Sequence, residues 1–541
     1  MPQFPKMYED NMKALLGEEG FISYAATFEK EPRAGLRVNT LKISPEAFLK
    51  RKENEEAFHH QSDGVNVLNE AASNCTGTAS LKQVPWCDTG FYYEEETNVY
   101  SKHPDYAAGL YYLQEPSAMA PAAILPIREG DRVLDLCAAP GGKSTYLAAK
   151  LGRSGLLFSN DISPSRAKAL LKNIELCGTT QTVVLSEAPY ALSKRFPEQF
   201  DKILVDAPCS GEGMFHKEPA IMKNWEQYGN EYYAKLQREI LDAAYRLLKP
   251  GGMLLYSTCT FAPLEDEQMV WSFLKSHEDM SLLPIPKVGG MEDGHPEWLN
   301  FGKNEAETES EELNKISQRA DVRNTARFWP QKLEGQGHFA ALFEKAAATS
   351  AAAASVNKEG KKNRTGGSLG ADLFSMQPSE MRGAFSAADL QLFEAWCKEN
   401  LTRGWQQILP KGGYLSKIGD SLYYSPIPQG VLKGLRVLRC GVLLGELKKD
   451  RFEPSQALAL VLKKEDVRRT ADYPVSSQEV RRYLKGETLT APGSPDGSPE
   501  KKGSTEDGWT LVLAEGYPLG WAKAVRGLLK NKYLKGWILN G

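Results

Sequence analysis

The residues best suited to chemistry are an aspartate and two cysteines, each placed directly behind an apolar run. Asp206-Ala-Pro-Cys209 follows Lys202-Ile-Leu-Val205, and Tyr256-Ser-Thr-Cys259-Thr260 follows the turn signal Lys249-Pro-Gly-Gly252. Both read as the carboxyl ends of strands, and in an open parallel sheet those ends face the ligand crevice. Asp206, Cys209 and Cys259 are therefore expected in one cleft. A buried cysteine is usually an inert small hydrophobe, which is the reading for Cys137 and Cys177. Polar surroundings at a strand end argue for chemistry at Cys209 and Cys259 instead. Two thiols without clustered His or Asp ligands do not fill a tetrahedral shell, so no metal site is expected.

A second feature lies upstream. Val133-Leu-Asp-Leu-Cys-Ala-Ala-Pro-Gly-Gly-Lys-Ser-Thr145 runs from strand through a small-residue turn into a helix. A phosphate loop needs GxxxxGK[ST], but Cys137 stands where its first glycine belongs. A dinucleotide fingerprint needs GxGxxG, which Gly141-Gly142 does not supply. S-adenosylmethionine has no pyrophosphate; it needs close backbone approach to its amino-acid moiety and an acid for its ribose hydroxyls. Asp161, twenty-six residues beyond Asp135 and just before Ser163-Pro164, is placed for the ribose. It also suits a helix cap. Glu187, after the next apolar run, is a weaker candidate for the adenine edge.

A methyl donor beside a thiol and an acid suits methylation at a pyrimidine carbon. C5 of cytosine is a poor nucleophile. Thiolate addition at C6, with N3 protonated, makes C5 enamine-like and able to take the methyl group. Loss of the C5 proton then expels the thiol, so one hard step becomes several easier ones. Asp206 is placed to share a proton with the base. The spacing alone leaves open which thiol attacks.

The elements that must position these residues come next. β-rich runs at 132–137, 155–159, 182–185, 202–206 and 253–258 alternate with helical stretches at 143–151, 163–176 and 231–248. That alternation predicts βαβ units in an α/β fold with a mostly parallel sheet. Gln336–Phe343 reads as a last strand, reached through a polar, acidic segment at 292–313 that reads as a solvated loop. At 541 residues the chain is too long for one core. The expected units are 1–100, 101–345, a low-complexity linker at 346–371, 372–455 and 456–541, with a further loop at 491–508. Eight cysteines without a CxxC pair, a charged N-terminus and no long apolar run suggest a reduced, cytoplasmic protein without membrane association. A net charge of −3 requires any nucleic-acid surface to be a local patch.

Taken in order, Asp135-Leu-Cys-Ala-Ala-Pro-Gly-Gly-Lys-Ser144, Asn160-Asp161, Asp206-Ala-Pro-Cys-Ser-Gly-Glu-Gly213 and Tyr256-Ser-Thr-Cys-Thr260 resemble the RNA cytosine-5 methyltransferases of the Nol/Nop/Sun family. Adding His103-Pro and Tyr112-Leu-Gln-Glu-Pro-Ser-Ala-Met119, the likeness spans 103–343 and points to the bacterial RsmF-type enzymes of 16S rRNA. It implies a Rossmann-like class I methyltransferase domain with a seven-stranded sheet. It also implies an α+β N-terminal domain carrying Gly35-Leu-Arg-Val-Asn-Thr-Leu-Lys42, and a PUA-like β-barrel at 456–541. Cys259 would be the nucleophile, Cys209 would assist release, Asp206 would meet the cytosine edge and Lys143 would steady the target nucleotide. S-adenosylmethionine would be held by Cys137, Ala138, Ala139, Pro140, Gly141, Gly142 and Lys143, with Asp161 on the ribose and Arg166, Glu187 and Asp206 close by. Lys217 is a further candidate for the RNA backbone.

RNA, rather than DNA, is the expected partner of a monomeric chain. Lys523–Lys535 carries five basic residues and no acid, with Tyr517, Trp521, Tyr533 and Trp537 among or beside them. Clustered cations neutralise phosphates and aromatic faces stack on unpaired bases. The same aromatics would also fill a small barrel core. tRNA or another rRNA would serve the same chemistry, and a non-catalytic RNA-binding assembly factor is disfavoured by the intact pair of thiols.

Overall fold

The computed structural model describes residues 4–62, 81–94, 100–302, 321–347, 386–491 and 506–538. From residue 348 the expected linker lies outside the described residues, as do 492–505 of the second loop and 303–313 of the acidic segment.

Seven strands form the body of the central sheet: β1 (Arg132–Asp135), β2 (Leu156–Asn160), β3 (Thr182–Leu185), β4 (Phe200–Asp206), β5 (Leu248–Thr258), β6 (Met280–Leu283) and β7 (His338–Lys345). Their order is β3-β2-β1-β4-β5-β7-β6. The first five run parallel, and β7 lies antiparallel to both β5 and β6. The inner strands are apolar on both faces because helices cover both. These are α1 (Gly142–Leu151), α2 (Pro164–Cys177), α3 (Pro189–Arg195), α4 (Ala220–Leu247) and α5 (Glu267–Ser276). The strand order reverses between β1 and β4, which opens the crevice at their carboxyl ends. This is the expected α/β, class I methyltransferase arrangement.

Three short strands widen the sheet to ten. Glu292–Asp293, at the start of the segment read as a solvated loop, pairs with Ala326–Arg327 beyond it. There Pro296–Asn300 forms a 3-10 turn that buries Trp298 and Leu299. Acidic neighbours hid these apolar anchors from a reading by composition. The third addition, Val437–Cys440, leaves the C-terminal region and pairs antiparallel with β3. Helix α4 also starts earlier than its periodicity indicated, because Gly229 (φ 67°) interrupts the helical backbone and breaks the pattern.

The Gly35–Lys42 motif proves to be a clamp. Its strand, Ala34–Val38, is buried on both faces. Arg37 is 2% exposed and donates from Nη2 to the Gly142 carbonyl (2.8 Å) and Thr145 Oγ1 (2.6 Å). Asn39 Nδ2 donates to the carbonyls of Gly109 (2.8 Å) and Cys177 (2.9 Å). Lys42 Nζ donates to the Leu176 carbonyl (3.0 Å). The N-terminal unit is thereby fastened to the start of α1 and the end of α2.

Beyond residue 386, a four-stranded and a five-stranded sheet share one apolar core, with Leu422, Leu444, Phe452, Leu458, Leu511 and Trp521 in contact. The five-stranded sheet also packs against the N-terminal sheet, where Val38, Phe48 and Leu110 join Val480, Tyr483 and Ala522. A charged seam borders that contact: Arg51 bridges Asp105 (2.8 Å) and Glu515 (2.7 Å). Lys52 lies 3.0 Å from Glu55 and 2.8 Å from Asp105. Its ammonium thus already serves the cluster of Glu55, His103 and Asp105 that could otherwise attract a cation.

Candidate active site

The ends of β1, β2, β4 and β5 converge on one cleft. After β1 the chain passes through a cis Ala139–Pro140 peptide to Gly141, whose φ of 117° is open to glycine but strained for other residues. That turn lets α1 begin at Gly142, with the Thr145 amide donating to the Gly141 carbonyl. Neighbouring strands hold the turn in place. The Ala138 amide donates to the Asn160 carbonyl (2.7 Å), and Asn160 Nδ2 donates to the carbonyls of Leu136 (3.2 Å) and Glu187 (3.0 Å). Arg166 Nη2 donates to the Ala139 carbonyl (2.8 Å). Cys137, in this turn, has its thiol pushed up by burial and then by the charges of Asp135, Asp206 and Asp161.

Those acids lie at three adjacent strand tips. Asp135 is fully buried; its Oδ2 accepts from Ser144 Oγ (2.7 Å), while Oδ1 has no hydrogen-bond partner. Burial, with the charge of Asp206 adding to it, moves its titration to about 7 despite the Ser144 bond. Asp161 is 2% exposed, and its Oδ1 accepts from the Ser163 amide (2.9 Å). It therefore steadies the turn before α2 without capping the helix, whose N-cap is Ser163, and Arg166 lies 3.5 Å from Oδ2. Glu187 is drawn elsewhere: its Oε1 accepts from the backbone amide of Arg436, next to the added edge strand.

At the end of β4, Lys143 Nζ donates to Asp206 Oδ2 (2.7 Å) and Ser257 Oγ donates to Asp206 Oδ1 (2.8 Å). Burial opposes the Asp206 charge, but Lys143 and His338 outweigh it and hold the carboxyl well below the usual range. Burial likewise opposes the Lys143 charge, and Asp206 overcomes it, raising the ammonium. Asp206 and Lys143 thus form an ion pair inside the cleft.

The two sulfurs of Cys209 and Cys259 lie 3.3 Å apart, and the Cys259 amide donates to Cys209 Sγ (3.3 Å). The adjoining Cys259 sulfur, then burial, pushes the Cys209 thiol far up. Buried polar side chains brace both cysteine loops from behind. Glu265 accepts from the Ser210 amide (3.1 Å), Asn230 Nδ2 (2.9 Å) and Gln237 Nε2 (2.8 Å). Glu212 accepts from Trp225 Nε1 (2.9 Å), Asn230 Nδ2 (3.0 Å) and the Phe261 amide (3.0 Å). Gln237 Nε2 also donates to the Pro208 carbonyl, and Ser210 and Thr260 hydroxyls meet at 2.7 Å. Asn230, directly after the Gly229 break in α4, thus ties that helix to the cysteine loops.

The structure brings the expected thiols, Asp206, Lys143 and the turn together, and adds Asp135, Ser257, Glu265 and His338, which the sequence reading did not single out. Asp135 carried a signal, an acid at the first strand's tip. His338 carried none, because it arrives from a strand some 130 residues after Asp206. Lys217 is exposed.

The residues present fit S-adenosylmethionine, a cation at both its sulfonium and its ammonium. Three carboxylates surround the turn, and Asp135 offers an unpartnered oxygen there. Fold and site together define an S-adenosylmethionine-dependent methyltransferase. Residues 122–344 match the family described as 16S rRNA methyltransferase RsmB/F. Three RsmF-specific families also match: the N-terminal domain over 61–116, the first C-terminal domain over 395–462 and the PUA domain over 470–539. A relative from Citrobacter koseri, called ribosomal RNA small subunit methyltransferase F, is 30% identical over 99% of this chain and 97% of its own. One of the same name from Enterobacter sp. strain 638 is 29% identical over 99% and 96%. The crystal structure of a methyltransferase homolog from Pyrococcus horikoshii superposes with a TM-score of 0.50 at 29% identity, covering 63% of this chain and 95% of that one. The chain belongs to the RsmB/F methyltransferase family, with the N- and C-terminal domains of its RsmF members.

Proposed function

We propose that the protein methylates C5 of a cytosine in 16S rRNA through a covalent bond between Cys259 and C6. The observation that carries this reading is the pair of sulfurs 3.3 Å apart beside the Lys143–Asp206 ion pair. A methyltransferase acting on oxygen or an exocyclic nitrogen has no use for two thiols at adjoining strand ends. S-adenosylmethionine supplies the methyl group when bound, held by the 137–143 turn, Asp135 and Asp161. Arg166 braces that turn.

The thiols divide the work through their coupling. The Cys259 sulfur pushes the Cys209 thiol far up, which suits Cys209 to stay protonated while Cys259, the nucleophile the family resemblance implies, attacks. Once Cys259 is committed to the C6 bond, that influence ends and the Cys209 thiol becomes easier to ionise. It is then able to take the C5 proton and free the product. Asp206 faces the N3 and N4 edge of the base, and Lys143 keeps that carboxylate ionised and oriented.

The C-terminal region supports an RNA substrate. Lys523 and Lys530 are exposed and lie directly opposite one another on paired strands. Like charges so placed destabilise a sheet unless an anion joins them. Trp521 (1% exposed) and Tyr533 (7%) belong to the core, so phosphate contact, not stacking on these rings, is the role of this edge. The protein acts as a monomer in the cytoplasm, with the 1–100 and 456–541 units binding RNA around the catalytic domain.

Substituting each thiol tests the assignment. Cys259→Ala abolishes methylation, whereas Cys209→Ala accumulates a protein–RNA adduct that survives denaturing electrophoresis. The reverse pattern overturns the roles. Bisulfite sequencing of RNA from cells with and without the protein identifies the cytosine, and an unchanged 16S rRNA pattern removes that substrate.

A further inference from the structure

His338 is the first residue of β7, and its side chain is 4% exposed. Its Nε2 lies 3.4 Å from Asp206 Oδ1, the oxygen that already accepts from Ser257. Beyond that approach, Nε2 has no hydrogen-bond partner. Its Nδ1 sits 3.2 Å from the Gly337 carbonyl, which only accepts, so Nδ1 carries a proton there. In a neutral ring the bare Nε2 lone pair would then face a carboxylate. Protonation of Nε2 turns that repulsion into a charge-assisted contact. Among the described residues, charged groups near this corner include Lys143, on the far oxygen of Asp206, and Glu115, which accepts from the amide of Gln336, two residues before His338. Phe328 closes the remaining side edge-on.

This arrangement answers a difficulty in the proposed chemistry, on which the inference rests. An ionised Asp206 has no proton to give N3, yet addition at C6 drives electrons onto N3. Imidazole is the side chain that exchanges protons most readily near neutrality. We propose that His338 is the positioning residue and proton reservoir for Asp206. As the Cys259 thiolate forms its bond to C6, the C5=C6 electron pair shifts toward C4 and the C4=N3 pair moves onto N3. Asp206 takes a proton from His338 Nε2 and passes it to N3. After the methyl group has joined C5, Cys209, its own proton given up to solvent, takes the C5 proton; that electron pair re-forms C5=C6 and the C6–S bond breaks with its electrons on sulfur. The N3 proton then returns through Asp206 to His338, and the cycle closes with no net change at the histidine.

The test uses the full-length protein under single-turnover conditions with S-adenosylmethionine and substrate RNA from pH 5.5 to 9. Adduct formation is followed on RNA bearing 5-fluorocytidine at the target position. His338→Gln, which fills the space without exchanging protons, and His338→Asn both lower the rate at least tenfold. Both flatten the fall in rate that the unsubstituted protein shows as pH rises. Affinities for S-adenosylmethionine and RNA stay within twofold, showing that the cleft is intact. Rates and pH profiles unchanged in both variants overturn the role, as does a loss of rate matched by an equal loss of S-adenosylmethionine affinity. If the unsubstituted protein forms no adduct, the cytosine-C5 reading falls and takes the role of His338 with it. A rate that does not change with pH in the unsubstituted protein also overturns it.

Discussion

Asp135 makes cofactor affinity depend on pH in a window well above that of a simple surface carboxylate. Burial raises its titration to about 7, so below that pH the free protein holds it protonated. Pairing with the ammonium of S-adenosylmethionine favours the ionised form. Binding below pH 7 must therefore expel a proton, and affinity rises with pH by about tenfold per unit until the free carboxyl ionises. Between pH 5 and 7 the gain is roughly 50-fold, short of 100-fold because half the groups are ionised at the midpoint. The same raised titration has a consequence for the unliganded fold. The folded state holds this proton from about pH 4 to 7 where the unfolded chain does not, so stability from Asp135 falls as pH rises through that window. Isothermal titration calorimetry across pH 5 to 8, in buffers of different ionisation heat, reads both the affinity and the released proton. Asp135→Asn binds more weakly at pH 8 and loses the slope. A flat profile for the unsubstituted protein, or a slope that persists in Asp135→Asn, refutes the reasoning.

Arg327→Met removes a buried guanidinium that meets Glu267 at 2.7 and 2.6 Å, leaving buried carboxylates without their cation. It should cost about 3–5 kcal/mol, seen as a fall in Tm of roughly 10 °C. Lys523→Glu combined with Lys530→Glu should weaken RNA binding in a filter assay and reduce its salt dependence, leaving S-adenosylmethionine affinity unchanged. Such surface changes separate RNA binding from folding better than removal of 456–541, because that region shares apolar cores with the rest of the chain.

The alternation of apolar runs with helical stretches made the central fold legible, because each strand buried on both faces leaves a short uninterrupted apolar signature. Local turn chemistry did the same for the cofactor turn: Ala-Pro-Gly-Gly between a strand and a helix has few other uses. The boundaries of α4 were obscured by Gly229, and the structured part of the acidic connection by charges that surround Trp298. In the N-terminal motif, the donors of Arg37 and Lys42 meet backbone carbonyls of α1 and α2, contacts between distant segments that carry no local signal.

The sequence by itself determined which groups are reactive, since thiols, carboxylates and the glycine turn are written locally and strand ends place them on one face. Only the tertiary structure decided how those groups act on one another. The fold sets the sulfurs of Cys209 and Cys259, fifty residues apart in sequence, 3.3 Å from one another. The depth of Asp135 sets where it titrates, and the antiparallel return of β7 brings His338 behind Asp206. Burial and proximity across distant segments fix protonation, and neither has a period or a motif to read.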